Sequence, residues 1–438
     1  MHRIEIKKLG PIDHCEMEIK DFVIFTGPQA SGKSTVAKSV FFFRNIRNIL
    51  FHQIRKRCLM QETSGAEEDF SLKTWLLREL TFNFQQIFGT ARYMEADMEL
   101  DYVYHTGSSI HLSLTKENSL QNEVKVEISE EIEEFLRELN EELQKTKVIF
   151  LIDSFTGLRK RISAVFSDDY ETVYIPAGRS LITLLSAQLN YIYSAMDDMQ
   201  KRSLDYCTQN YLERILQLKP NFSDGIPQTI KSVIGLTGKK ADEKLIDEAK
   251  ELMRNILSGE YRNVEGEEQL QLVNGKCVKI NFASSGQQEA VWILNTLFYQ
   301  LLRGRKTFFI IEEPESNLFP DAQKWIADFI ALVGNSGGNQ ILVTTHSPYI
   351  LGEFNNLLYA NRISPEVQKK ELAEIIPQSQ WLSFESITAC YIHGGKLENC
   401  VDTEFQAICN EVIDGASEKI NRAYERMLAL KKSTEQHS

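Results

Sequence analysis

The stretch FVIFTGPQASGKSTVAKSVFFF, residues 22–43, constrains the fold more than any other part of this sequence. An apolar run ends at Phe25, a loop spans Gly27 to Gly32, and a helical pattern starts near Lys33. A glycine, four residues and then Gly32-Lys33-Ser34 form a phosphate loop in its proper context, after a strand and before a helix. Each residue type has a task. The glycines let backbone N–H groups of Gly27, Gln29, Ala30, Ser31 and Gly32 approach phosphates, while Pro28, which has no N–H, contributes only its fixed turn. Lys33 neutralises phosphate charge, and the Ser34 hydroxyl suits Mg²⁺, with Thr35 beside it. The site therefore calls for ATP and Mg²⁺.

Such a loop needs carboxylates. Residues 306–318, KTFFIIEEPESNL, give a strand over Thr307–Ile311 that is apolar on both faces and runs directly into Glu312 and Glu313. Acids at the carboxyl end of a parallel strand sit where ligands bind in open α/β sheets. Glu312 is expected to reach the metal and Glu313 to polarise the attacking water. Capping of a helix entered through Pro314 is the competing explanation. Further on, Asn339–Thr345 reads as another buried strand and ends in His346-Ser347-Pro348; a histidine at that strand end can hydrogen-bond the γ-phosphate or the attacking water, with a structural histidine as the competing explanation.

A fourth stretch, ASSGQQEAVWILNTLFYQLL from Ala283, passes from a polar cluster into an amphipathic helix. Ser284, Ser285, Gly286 and Gln287 suit a helix cap, and the same free N–H groups suit a phosphate.

In this order, GPQASGKST, ASSGQQEAV, FFIIEEPESNLFP and LVTTHSPYIL resemble the motifs of ABC-type ATPases of the OLD, RecF and SMC group, over about Met1–Gln53 and Tyr261–Leu397. The resemblance implies that Ser284, Ser285, Gly286 and Gln287 form a signature motif that contacts the γ-phosphate held by another subunit. It also implies a head-to-tail homodimer or higher homo-oligomer. The chain departs from the group in three places: Glu312-Glu313 replaces aspartate-glutamate, Ser285 replaces a glycine, and Phe319 replaces an aspartate. TVYIPAGRS, residues 172–180, is similar to a segment of OLD-like ATPases and offers Arg179 as a charge donor or a salt-bridge partner.

The implied fold class is α/β: an ABC-type P-loop core, mostly parallel with flanking antiparallel strands, and a compact helical lateral region. The expected division is 1–125 and 261–438 for the two halves of the core and 126–260 for the lateral region. Antiparallel strands are expected within Glu95–Lys125, and helices over Ser129–Lys147, Leu181–Leu218 and Glu243–Leu257. No heptad run of SMC-arm length is present.

A net charge of −12 excludes an all-over nucleic-acid coat. The run Arg44–Arg57 (RNIRNILFHQIRKR) leaves a solvated basic face, or one for DNA, RNA or an acidic partner. Seven cysteines without a C-x-x-C pair suggest reduced thiols, and the absence of a transmembrane-length apolar run and of a signal-peptide pattern suggests the cytoplasm, with no membrane partner. The roughly ninety residues after His346 are too few for the Toprim nuclease of OLD nucleases; they suggest a hairpin at Cys390–Asn399 and a terminal helix over Glu404–Lys431. Stand-alone OLD-like ATPases resemble the ATPase subunits of anti-phage systems such as Septu and PARIS. The expected function is therefore a slow ATPase that acts as sensor or switch for a separate nuclease or toxin effector. A RecF-like DNA-repair factor and an ATP-stabilised scaffold remain alternatives.

Overall fold

The computed structural model describes residues 1–60, 70–116, 122–145, 152–184, 195–197, 205–237, 242–264, 267–409 and 421–427. In chain order the strands are β1 (His2–Leu9), β2 (Ile12–Ile19), β3 (Phe22–Thr26), β4 (Glu99–His105), β5 (Ser108–Thr115), β6 (Glu123–Ile128), β7 (Glu171–Ile175), β8 (Gly259–Val264), β9 (Glu267–Leu272), β10 (Cys277–Lys279), β11 (Thr307–Glu312), β12 (Gln340–Thr345), β13 (Ile387–His393) and β14 (Lys396–Asn399). One sheet of 11 strands runs β6-β5-β4-β1-β2-β14-β13-β3-β12-β11-β7, and β8–β10 form a small antiparallel sheet. From β13 through β3, β12 and β11 to β7 the pairing is parallel. The β4–β6 meander, with β1 and β2, is antiparallel. This is the α/β architecture expected, a parallel centre flanked by antiparallel strands.

The apolar runs account for that centre. Every residue of β3 and β11 is buried, because helices cover both sheet faces and successive side chains point to opposite ones. Phe22, Ile24, Phe309 and Ile311 enter one core, which they share with the helices Ser285–Arg303, Pro320–Asn335 and Pro348–Ile363. Val23, Phe25, Phe308 and Ile310 enter the other, packed by Lys33–Met60 and Leu72–Phe88. At about 1.5–3 kcal/mol for each large apolar side chain buried, these strands hold the sheet to both helical layers. By contrast, β1 and β2 alternate buried and exposed positions.

The hairpin β13–β14 is present and inserts between β2 and β3. The helices Glu130–Lys145 and Glu243–Leu257 lie where expected, and Gly225–Thr237 is a further helix. Of the expected helix Leu181–Leu218, Ser180–Leu184 and Tyr206–Leu218 are helical, while 185–194 and 198–204 lie outside the described residues. β7, within 126–260, is a strand of the main sheet. After Glu313 the chain turns, and the next helix begins at Pro320 with Phe319 as its N-cap, so the competing explanation, that Glu312 and Glu313 cap a helix entered through Pro314, does not hold. One expectation needs correction. Residues 404–409 are not helical: Val401–Asp402 pairs with Ala407–Ile408 across a tight turn. The terminal helix is described only at 421–427; 410–420 and 428–431 lie outside the described residues.

Candidate nucleotide site

The phosphate loop connects β3 to the helix that starts at Lys33. Its glycines are required by both conformation and space. Gly27 and Gly32 have φ of 141° and 107°. A Cβ on Gly27 would lie 2.3 Å from the Ile392 carbonyl oxygen of β13, and one on Gly32 would lie 2.3 Å from Ile12 Cδ1. Ala30 also adopts a positive φ, 59°, a strained state for a residue with a Cβ. Pro28, Gln29, Ala30 and Ser34 are exposed at the mouth of the site, with Ser31 and Thr35 half-buried.

Lys33 is 5 % exposed, and its Nζ donates to the carbonyls of Gly27 (3.0 Å) and Pro28 (2.7 Å). Burial lowers the pKa of its ammonium, and the charges of Glu313, Glu315 and Glu312 act in the opposite sense. His346, at the end of β12, bridges the loop to the acidic strand: Nδ1 lies 2.9 Å from Gly27 O and 3.3 Å from Lys33 Nζ, and Nε2 lies 3.0 Å from Glu313 Oε1. The His346 hydrogen bond holds the Glu313 carboxyl below the usual carboxylate range, against the effect of burial and helped by Lys33. Glu313 is therefore ionised at neutral pH and presents a proton acceptor. Its φ of 42° is fixed from β12, where Thr344 O accepts from the Glu313 N–H at 2.9 Å.

Glu312 is 4 % exposed; one carboxylate oxygen accepts from the Ala177 N–H at 3.2 Å. Among the buried atoms without a hydrogen-bond partner, which also occur elsewhere in the described residues, four belong to this site: Thr26 Oγ1 at the end of β3, Ser31 Oγ on the loop, Glu312 Oε1 at the end of β11 and Glu315 Oε2 just after it. Leaving such atoms unsatisfied is costly. Hydroxyl donors beside a carboxylate oxygen fit a phosphate with a hard divalent cation, and Ser34 and Glu312 would hold that cation.

The signature positions behave differently. Ser284 is the N-cap of Ser285–Arg303 in a full capping box: Ser284 Oγ accepts from Gln287 N, and Gln287 Oε1 accepts from Ser284 N at 3.0 Å. Gln287 Nε2 donates to Leu257 O at 2.7 Å. Ser284 and Ser285 are exposed, while Gly286 is buried against the loop after β11, where a Cβ would lie 2.5 Å from Asn317 O. Among the described residues no hydrogen bond or ion pair joins Ser284–Gln287 to Lys33, Glu313 or His346. Phe282 and Phe319, 79 % and 73 % exposed, flank the helix start.

Three contributors went unnoticed in the sequence. Glu315 accepts from Thr345 Oγ1 (2.6 Å) and the His346 N–H (2.7 Å), and burial pushes its carboxyl up. Only the third acid in IIEEPES hinted at it. Tyr174 is fully buried beside Glu312, and burial, then that charge, push its hydroxyl up. Glu289, in the first turns of Ser285–Arg303, is 2 % exposed and paired with Arg179 at 3.3 Å. Arg179 itself is fully buried and forms that ion pair within its own chain. The basic run also needs correction. Arg44 pairs with Asp168 at 2.6 Å and Arg47 is 4 % exposed, so neither belongs to a solvated face; Arg55 and Lys56 do.

A comparison with known families matches residues 1–351 to the AAA ATPase domain. The chain belongs to that ATPase family. No match is found among curated proteins. Among solved structures, the SMC head domain from Thermotoga maritima aligns at 10 % identity over 91 % of this chain and 97 % of that one, with a TM-score of 0.35. A Pyrococcus furiosus SMC head domain with an extended coiled coil, bound to the C-terminal domain of ScpA, aligns at 12 % identity over 96 % and 100 %, with a TM-score of 0.40. No helix among the described residues of this ATPase is long and apolar enough to cross a membrane.

Proposed function

We propose that this ATPase binds ATP with Mg²⁺ at the phosphate loop, hydrolyses it slowly, and uses the nucleotide to close a head-to-tail dimer or larger homo-oligomer that switches a separate effector. The observation that carries the reading is the chain of contacts from Lys33 through His346 to Glu313, which ties the phosphate-binding loop to an ionised carboxylate. Bound Mg²⁺ would offset phosphate charge. Ser34 and Glu312 would hold it, Lys33 and the loop N–H groups would orient the phosphates, and Glu313 would take the proton of the attacking water. His346 holds Glu313 in place and reaches the phosphate side of the site. The exposed Ser284 and Ser285, flanked by the exposed Phe282 and Phe319, suit a second copy's nucleotide and surface. The anti-phage role and the nuclease or toxin effector rest on the resemblance to OLD-like ATPases, as does a cytoplasmic location. The division into core halves 1–125 and 261–438 and a lateral region 126–260 belongs to the same proposal.

The test is the mass of the purified chain with and without ATP and Mg²⁺, for wild type and Glu313→Gln. The variant should lose about 10²–10⁴-fold in turnover, the usual worth of a positioned base, and persist as an ATP-bound dimer or ring. Unimpaired hydrolysis by Glu313→Gln would refute the assignment.

One observation favours a second reading. Lys56, Arg159, Arg214, Arg303 and Arg305 line a cavity of about 790 Å³ at the amino ends of β7 and β11, together with Glu79, Glu213 and Glu171, which pairs with Arg214 and Arg303, so cations outnumber acids there on an acidic protein. Binding of DNA or RNA there fits a RecF-like role. Salt-sensitive nucleic-acid binding lost in Lys56→Glu would select it. Retention of ATP through purification with no turnover would instead select a scaffold.

A further inference from the structure

Arg179 and Glu289 are both buried, and neither touches the phosphate loop. The turn after β7 carries Arg179 between two parts of the molecule that the proposed mechanism uses separately. On one side lies the start of Ser285–Arg303. Glu289, one turn in from the exposed serines, pairs with Arg179 Nε at 3.3 Å and accepts from the backbone N–H groups of Arg179 and Ser180, both at 3.0 Å. Thr183 Oγ1 adds a bond to Gln288 O at 2.8 Å. On the other side lies the backbone that aims the carboxylates. The guanidinium donates to the Glu312 carbonyl at 2.6 Å, to the Glu313 carbonyl at 3.0 Å, and to that of Pro176.

A merely structural ion pair needs one partner. Here the rigid fork of one arginine spans the carbonyls of both acids and the side chain of the signature helix. Glu313 has a φ of 42°, and a residue with a Cβ stays in that region only when its surroundings over-determine it. Part of that determination comes from Arg179. The same two regions also touch at Gly286, whose Cα faces Asn317 O across a gap too small for a methyl group. A shift of the helix start therefore has a tightly packed route to the Glu313 backbone.

We infer that Arg179 is a positioning residue that couples the exposed end of the signature helix to Glu313 of the same chain, so that engagement of Ser284 and Ser285 by a second copy's nucleotide sets the aim of the base. This rests on the proposed ATPase reading. Hydrolysis at the two composite sites of a dimer then becomes cooperative, since each copy's base responds to the nucleotide held by the other.

The test measures ATP affinity, KM, kcat and the Hill coefficient of turnover for wild type, Arg179→Lys and Glu289→Gln, with Glu313→Gln as control. Arg179→Lys keeps the charge and loses the fork; Glu289→Gln keeps the shape and loses the pair, and serves if the first variant does not fold. The expected result is ATP affinity within about 3-fold of wild type, kcat lower by roughly 10–100-fold, as for a reacting group misplaced by about 1 Å, and a Hill coefficient that falls from above 1 to 1. Wild-type kcat in a folded variant, or a Hill coefficient that does not change, overturns the coupling. Only continued hydrolysis by Glu313→Gln overturns the reading beneath it, so the two failures are distinguishable.

Discussion

The phosphate loop and the signature helix both present polar groups at the start of a helix, yet one is left unsatisfied by its own chain and the other is complete. Around the loop, Ser31 Oγ, Thr26 Oγ1 and Glu312 Oε1 are buried without partners, and Ala30 and Glu313 sit at positive φ. At Ser284 a capping box and the Gln287–Leu257 bond satisfy the backbone, no residue of the helix start is strained in this way, and the serines point outward. The difference separates two kinds of binding. Strain and orphaned groups mark a site that gains most from a ligand held within the fold. A self-satisfied, exposed cap contributes only when another surface approaches it.

Three substitutions break or sharpen this contrast. Lys33→Ala should weaken ATP binding by about 100-fold or more, the equivalent of roughly 2.7 kcal/mol; titration calorimetry measures it, and tight binding by the variant would remove the site assignment. Gly286→Ala forces a methyl group toward Asn317 O and should cost about 1–3 kcal/mol of stability by denaturant unfolding, with turnover reduced because the shift reaches the acidic loop. Ser284→Ala loses a cap worth about 1 kcal/mol. If Ser284 acts only as a cap, melting falls slightly and ATP-driven dimerisation is intact; the expected outcome is a small loss of stability with a clear loss of dimer.

The smallest effect lies far from either helix start and depends on pH. Asp328 pairs with Lys324 at 2.8 Å, and burial, then the charge of Glu353, push its carboxyl up to about 7. Because the folded pKa exceeds the unfolded value near 3.8, the folded state keeps a proton that the unfolded chain releases. The stabilising contribution is full below about 3.8 and is lost as the pH rises to about 7. Asp328→Asn cannot ionise, so its melting temperature should rise relative to wild type between pH 5 and pH 8. An unchanged difference would show that the pair with Lys324 already keeps Asp328 charged.

Much of the site was legible because local chemistry imposes it. A strand buried on both faces must be apolar, so β3, β11 and β12 announce themselves, and ligand-facing residues follow at their carboxyl ends. Lys33, Glu313 and His346 come from three separate segments, and parallel pairing of β3, β12 and β11 brings their strand ends level. The basic run misled for a similar reason. Five cations between Arg44 and Arg57 look alike in sequence, but the helix turns Arg44 toward Asp168 and the Phe308 ring while Arg55 and Lys56 face outward. Pro314 does not start a helix, because Glu313 and Asn317, at φ of 42° and 59°, fold the acidic loop into turns first.

By itself the sequence determined the phosphate loop, the acidic and histidine strands, and the capped helix at Ser284, since each is a contiguous pattern whose chemistry is complete within a few residues. Only the tertiary structure decided that β13–β14 returns to pack against Gly27, that Arg44 and Asp168 meet across 124 residues, and that Arg179 holds Glu289 and the carbonyls of Glu312 and Glu313 together. Burial and pairing over such separations depend on which surfaces the folded sheet brings into contact, and no local pattern encodes that.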